Sequence, residues 1–234
     1  MSTVRLGLVF VSVLVVALIA RAPMSAGLAL AGLGDAVSVR EVEGTIWNGR
    51  LVDASIGRVR LGDIRAGLAP ATLLAGRPAI AVTAGGGAVD LRGQVLAGGQ
   101  SGVEDLTGTA PLALLGAPAP FDGSLVLKSL GFAFSGGSCR RAAGMASIEV
   151  SGLGDAPFAL AGQPACRGDS LVLALGGERA GARVTVEIRL RADGRYRTEA
   201  RVATGDEALA ATLSAAGFDR AADGFRKITE GHLR

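Results

Sequence analysis

Two cysteines, one histidine and a scatter of carboxylates are the residues of this chain that could do chemistry. Cys139 and Cys166 stand apart, with no C-x-x-C for redox exchange. Together with the single distant histidine, His232, they do not supply the four ligands of a zinc site. His232 lies two residues from the C-terminus, where chains fray, so a Ser-His-Asp triad built on it would lack a fixed base. Of the adjacent carboxylates, Glu104 and Asp105 fall in a strand edge or turn. Asp206 and Glu207 fall at a helix start, where they complement the helix dipole. "AGGGAVDLRG" (84–93) is glycine-rich, but it lacks the lysine and the strand–loop–helix setting of a phosphate loop, and it reads as a turn. The sequence has no G-x-S-x-G, Walker A or H-E-x-x-H. No nucleophile, base or metal set emerges. The expectation is a protein that is not an enzyme and uses no cofactor or metal.

Charge narrows the partners. The formal net charge is +3, with both signs mixed along the chain, and no basic block is interleaved with aromatics. Nucleic acid is therefore not an expected partner. The hydrophobic share of 49% is enough for a packed core.

The elements that must position any site begin with a greasy leader. "LGLVFVSVLVVALIA" (Leu6 to Ala20) is a fifteen-residue apolar run between Arg5 and Arg21. As a helix it is about 22 Å long, against a hydrocarbon core of about 30 Å, which snorkelling arginines could help to bridge. It fits two readings, a cleaved signal or a retained anchor. Ala20-Arg21-Ala22 has the form of a cleavage site, but Pro23 follows it, and Ala29-Leu30-Ala31 is far from the apolar run. The expectation is a single-pass anchor with a cytoplasmic N-terminal tail and an exported body. In an exported chain, an even pair of cysteines points to one disulfide, Cys139 with Cys166.

Beyond the leader the pattern is short strands between glycine-rich turns. In "ARVTVEIRLRADGRYRTEARVA", Val184, Val186, Ile188 and Leu190 share one face, and Arg183, Thr185, Glu187, Arg189 and Arg191 the other. A three-residue loop, Ala192-Asp193-Gly194, sets Leu190 opposite Tyr196, Ile188 opposite Thr198 and Val184 opposite Val202, with Gly194 left-handed. A two-residue loop would set Leu190 against Arg197. Further strands are expected over 37–43, 47–56, 58–65, 79–84, 124–134, 146–150 and 170–175, with a bulge near Gly62. Short helices are expected after Pro70, stopped by Gly76, and from Thr204 with Glu207 as a capping box, stopped by Gly217. The proline-rich "GAPAPFDG" (116–123) reads as a connector. The expected organisation is tail, anchor and linker over 1–33, a first β-rich half over 34–115, the connector, and a second half carrying the disulfide over 124–234. The fold class is mainly β, an N-terminal membrane helix followed by a curved antiparallel sheet with one or two short helices.

"VEGTIWNGRL" (42–51) holds the only tryptophan, Trp47, between Gly44 and Gly49. This stretch, shortly after an apolar leader, resembles the Gly-Thr-[Val/Ile]-Trp-[Asn/Ser]-Gly element of the type II secretion system protein N family. "APATLLAGR" (69–77), "CRRAAGMASIEV" (139–150), "QPACRGDSLVLAL" (163–175) and "RLRADGRYRTEA" (189–200) resemble later stretches of that family in the same order. The likeness runs from about Val37 to Arg201 and does not extend to "AADGFRKITEGHLR". It implies a non-catalytic accessory protein of the inner membrane, with a β-rich periplasmic domain that contacts other inner-membrane subunits of the secretion apparatus. Gly44, Trp47 and Gly49 would be its signature turn, and Cys139 with Cys166 its bridge. Trp47 then either covers an end of the sheet or anchors a partner protein. The competing reading is an AsmA-like lipid carrier or envelope-maintenance protein, with small residues leaving room for acyl chains on an apolar sheet face.

Overall fold

The period-two stretches form strands, and all of them join one antiparallel sheet. The computed structural model describes residues 3–26, 38–56, 59–85, 89–96, 98–112, 122–151, 158–179 and 181–232. The strands are β1 (Glu41–Thr45), β2 (Asn48–Ile56), β3 (Val59–Leu68), β4 (Ala79–Ala84), β5 (Asp90–Leu96), β6 (Gln100–Pro111), β7 (Asp122–Ser135), β8 (Ser138–Ser151), β9 (Phe158–Gly162), β10 (Pro164–Arg167), β11 (Ser170–Arg179), β12 (Ala182–Arg191), β13 (Arg195–Ala203), β14 (Asp219–Ala221) and β15 (Gly224–His232). Their spatial order follows the chain up to β9, then runs β11, β12, β13, β15, β14, with β10 paired to β11.

Alternation gives the sheet two unlike faces. Direct partners trace one row across it: Val42, Leu51, Ile64, Ala84, Leu91, Gly108, Leu127, Ala146 and Gly162. The row resumes as Leu175, Val186 and Ala200. Every member is apolar or small, so one face is continuously apolar from β1 to β13. The other face carries exposed ion pairs, among them Arg50–Asp63, Arg141–Glu104 and Arg197–Glu230.

A flat single layer would leave that apolar face wet, yet Leu175 and Leu160 are only 2% and 3% exposed. The sheet rolls over its own face. The β5–β6 turn (Gly98, Gly99), the β7–β8 turn (Gly136, Gly137) and Ala192 of the β12–β13 turn line one small cleft. In a flat sheet β5 and β12 would stand about 29 Å apart at ~4.8 Å per strand. Leu91 and Leu106 accordingly share a hydrophobic cluster with Val184 and Val186. Sheets of this many strands curl to satisfy their accumulated twist.

The two ends are plugged. Met24 packs into the first strands, in a cluster with Leu51, Ala54 and Ile64. At the far end Leu213 of a helix buries against Val202 and Phe225. That helix, α3 (Glu207–Ala215), starts at Asp206, whose Oδ1 accepts from Ala208 N and Leu209 N at 2.8 and 3.2 Å. The cap is thus Asp206 and not the expected Thr204, whose hydroxyl accepts from Asp206 N one turn earlier. A carboxylate at the N-cap meets two orphan N–H groups and the dipole together. The shorter helix α2 (Pro70–Leu74) has Pro70 in its first turn, and Gly76 follows it at φ 69°.

The β12–β13 register is the three-residue one: Leu190 faces Tyr196, Ile188 faces Thr198, Val184 faces Val202, and Gly194 sits at φ 83°. β4 runs over the expected residues. Near Gly62 the β2–β3 ladder shifts register, with Ala54 opposite Gly62 and Ser55 opposite Arg60. β1 is shorter than the expected 37–43 and shifted to 41–45, β2 begins at 48 and not 47, β3, β7, β8 and β11 are longer than expected, and β5, β6, β9, β10, β14 and β15 are strands beyond those expected. Part of the supposed turn 84–93 is β5, while 86–88 lie outside the described residues. The linker boundary at 33 also lies outside them, as does the connector, except for Asp122 and Gly123, which open β7. β6 and β7 are hydrogen-bonded neighbours, so residues on both sides of the connector share one sheet.

The leader forms α1 (Thr3–Ala20). Among the described residues no helix is long and apolar enough to cross a membrane. The described large apolar side chains of α1 are exposed, from Val15 at 47% to Phe10 at 67%.

Candidate interaction site

The signature turn is the joint between α1 and the sheet. β1 and β2 meet in a two-residue loop, Ile46-Trp47, with Thr45 opposite Asn48 and Gly44 opposite Gly49. Three glycines let neighbouring backbone reach this loop. Gly44 sits at φ 83°, and a Cβ there would lie 2.3 Å from Asn48 O. A Cβ on Gly49 would strike Met24 Cγ at 2.6 Å, and one on Gly67 would lie 2.2 Å from Trp47 O. The pattern Gly-Thr-Ile-Trp-Asn-Gly thus builds a hairpin tip packed between β3 beneath and the chain leaving α1 above.

The half-buried Trp47 reaches back to that helix. Its indole N–H donates to Ile19 O at 3.1 Å, satisfying one of the last four carbonyls of α1. Ile46 N donates to Ala22 O at 3.0 Å, Pro23 bridges to Thr45, and Ile46 O accepts from Leu68 N at 2.8 Å. The end of α1, the hairpin tip and the end of β3 are therefore tied in series. Trp47 is thus bonded to the end of the helix while part of its surface stays accessible. Ile19, Met24 and Gly67 complete the joint and carried no sequence signal: nothing in a linear pattern links an indole to a carbonyl 28 residues away.

Next to the joint, Arg50 donates to Asp63 at 2.6 Å. That hydrogen bond holds the Asp63 carboxyl below its usual range, helped by the Asp53 N–H donated to it at 3.2 Å. The Asp63 carboxylate raises the Arg50 guanidinium in return.

Cys139 and Cys166 form a disulfide, Cα to Cα 5.3 Å, that fastens the start of β8 to β10. It lies in a cluster with Phe134, Leu171 and Leu190 on the apolar face. The remaining candidates for chemistry are dispersed. Glu104 pairs with Arg141, Asp105 lies in β6 at φ 50°, and His232 ends β15 opposite Arg195. Among the described residues no three His, Cys, Asp or Glu side chains gather as a metal site. What the geometry can do is tie the end of an apolar helix to the tip of the first hairpin of a rolled sheet.

No curated protein and no solved structure matches the chain. A family model does, for type II secretion system protein N, over residues 35–229, a span that begins just before β1 and closes within β15. The chain belongs to the type II secretion system protein N family.

Proposed function

We propose that this protein is a non-catalytic accessory component of the type II secretion apparatus, held in the inner membrane by α1 and acting in the periplasm through contacts with other inner-membrane subunits of the system. The observation that carries the reading is the joint: an apolar helix whose described large apolar side chains are exposed is hydrogen-bonded through Trp47, and the segment leaving it through Ile46, to a disulfide-clipped sheet. Water does not favour such a helix, and a lipid phase does. Its shortness is met by local bilayer thinning and by the flanking Arg21 reaching the headgroups. The disulfide fits an oxidising compartment, as the periplasm is.

The test is a chromosomal deletion combined with photo-crosslinking from Arg65 and Arg92 on the charged outer face. The expected result is reduced secretion of the folded cargo and crosslinks to inner-membrane subunits of the apparatus. Unchanged secretion with no such crosslink overturns the proposal.

The unbroken apolar row from Val42 to Ala200 favours a second reading, lipid carriage inside the roll. Phospholipid retained in stoichiometric amount through purification, and lost when Leu127 is replaced by Glu, would establish it.

A further inference from the structure

All the turns at one end of the sheet lie at the end where α1 leaves it. We infer that this end rests on the anionic headgroup surface of the membrane that holds α1, an inference that rests on the anchored reading above. Contacts join the surface piece by piece. Trp47 bonds to α1; its carbonyl lies against Gly67 at the end of β3; and β3 leads into α2. Pro78, after α2, touches the β5–β6 turn, where a Cβ on Gly98 would lie 3.3 Å from its Cγ. That turn shares a cleft with the β7–β8 and β12–β13 turns.

The chemistry of this surface suits headgroups. Arg21, Arg77, Arg140 and Arg167 are exposed on it, and none forms an ion pair among the described residues. Its turn carboxylates, Asp169 and Asp193, are already matched by Arg191 and Arg195. Trp47 stands where the helix emerges, the level at which indoles sit in bilayers. Leu73 of α2 is 39% exposed and can dip among the headgroups. The opposite end of the sheet carries mixed charge, with exposed Asp90, Glu149, Asp206 and Glu207 beside exposed Arg220 and Arg226. The unpaired arginines of the α1 end, set against that mixed edge, orient the body with its turns on a negative surface.

The full chain is reconstituted in phosphatidylglycerol–phosphatidylethanolamine vesicles and in phosphatidylcholine vesicles. Carbonate extraction comes first: release of the chain removes the anchored reading and this inference with it. With the chain retained, two probes apply. The fluorescence of Trp47, the only tryptophan, is quenched by lipids spin-labelled near the headgroup, and more weakly by lipids labelled deep in the acyl chain. Amide exchange in the turns at 98–99, 136–137 and 168–169 is slower in anionic than in neutral vesicles, with about a fivefold loss of protection for each arginine neutralised in R77Q, R140Q and R167Q. High salt on the unaltered protein gives the same loss without any substitution. Retention of the chain with equal exchange in both vesicle types, or with Trp47 open to aqueous iodide and unquenched by lipid, overturns this inference and leaves the anchor standing.

Discussion

Breaking the Cys139–Cys166 bridge by reduction is the cleanest perturbation of this fold, because it removes one covalent bond and no side-chain atoms. The two cysteines are 27 residues apart in sequence. Closing a loop of that size removes about 12 cal/mol/K from the unfolded chain, or about 3.5 kcal/mol at 25 °C. Little of this should be recovered locally. The freed thiols stay in the Phe134–Leu171 cluster, and Cys139 N still donates to Gly168 O at 3.2 Å. With a urea m-value of about 2.5 kcal/mol/M, the midpoint should fall by about 1.4 M. The assay is urea unfolding of the full chain in detergent, followed by β-sheet circular dichroism, with and without reductant and with free thiols counted. Because the bond acts chiefly on the unfolded state, m should rise slightly on reduction as the unfolded chain expands. Equal midpoints for the oxidised and reduced forms, with both thiols titrated, refute the reasoning.

Gly67→Ala drives a Cβ to within 2.2 Å of Trp47 O, so the joint must open, and a loss of about 2–3 kcal/mol is expected; Gly176→Ala, with nothing within 4 Å, should be neutral or slightly stabilising, and urea midpoints separate the two. Trp47→Phe keeps an aromatic ring but removes the pyrrole half of the indole and with it the donor to Ile19 O. It should cost about 1 kcal/mol in the same assay and loosen the end of α1 in amide exchange, and an unchanged Ile19–Met24 segment would argue against the cap. Asp63, Asp169 and Glu199 are each held below the usual carboxylate range, first by hydrogen bonds from Arg50, Ser170 and Arg201 respectively. Their contribution is fully present above about pH 5, where the unfolded chain is also ionised, and is lost as pH falls through the lowered native values. Stability measured against pH should therefore be flat in the neutral range and drop only below about pH 5, with the drop blunted in high salt because these groups are exposed.

The sequence disclosed structure where one face repeats without interruption. β12 and β13 were legible to the residue because Val184 to Leu190 alternates strictly and Asp193-Gly194 punctuates it. β5 and β6 were hidden by their own irregularities. Asp90, Gly93, Gly102 and Asp105 are poor strand formers, and β6 shifts register twice against β7, near 104–105 and near 107, so no period-two run survives. β8 was read at less than half its length because the shift at Arg140 and the left-handed Gly144 break the alternation. The candidate site was half legible. The glycines around Trp47 announced a special turn, but its business is with Ile19, Ala22 and Met24, and a contact to a helix end leaves no mark in a local pattern.

The charged face raises a different question, namely what sets the register of β12 on β13. The observed pairing puts Glu187 directly opposite Glu199, and Arg189 directly opposite Arg197. Like charges facing across a ladder are unfavourable. A slip of two residues would set Arg189 opposite Glu199 and Glu187 opposite Arg201, and would keep the apolar face inward. Electrostatics on the outer face therefore opposes the register that forms. Two features override it. The turn closes at three residues through Gly194 N to Arg191 O at 3.0 Å and Arg195 N to Asp193 Oδ1 at 3.0 Å, with Gly194 left-handed at the last loop position, and a slip would move the loop to 193–195 and break both bonds. On the inner face, Tyr196 covers Gly231 of β15, where a Cβ would lie 2.5 Å from the phenol ring, and a shifted β13 would lose that fit. The charges adapt by pairing along their own strands, Arg189 with Glu187 and Arg201 with Glu199, and onward to β15 through Arg197 and Glu230. Exposed pairs of this kind contribute little, so it is the hairpin turn and the packing inside the roll that decide how these strands meet.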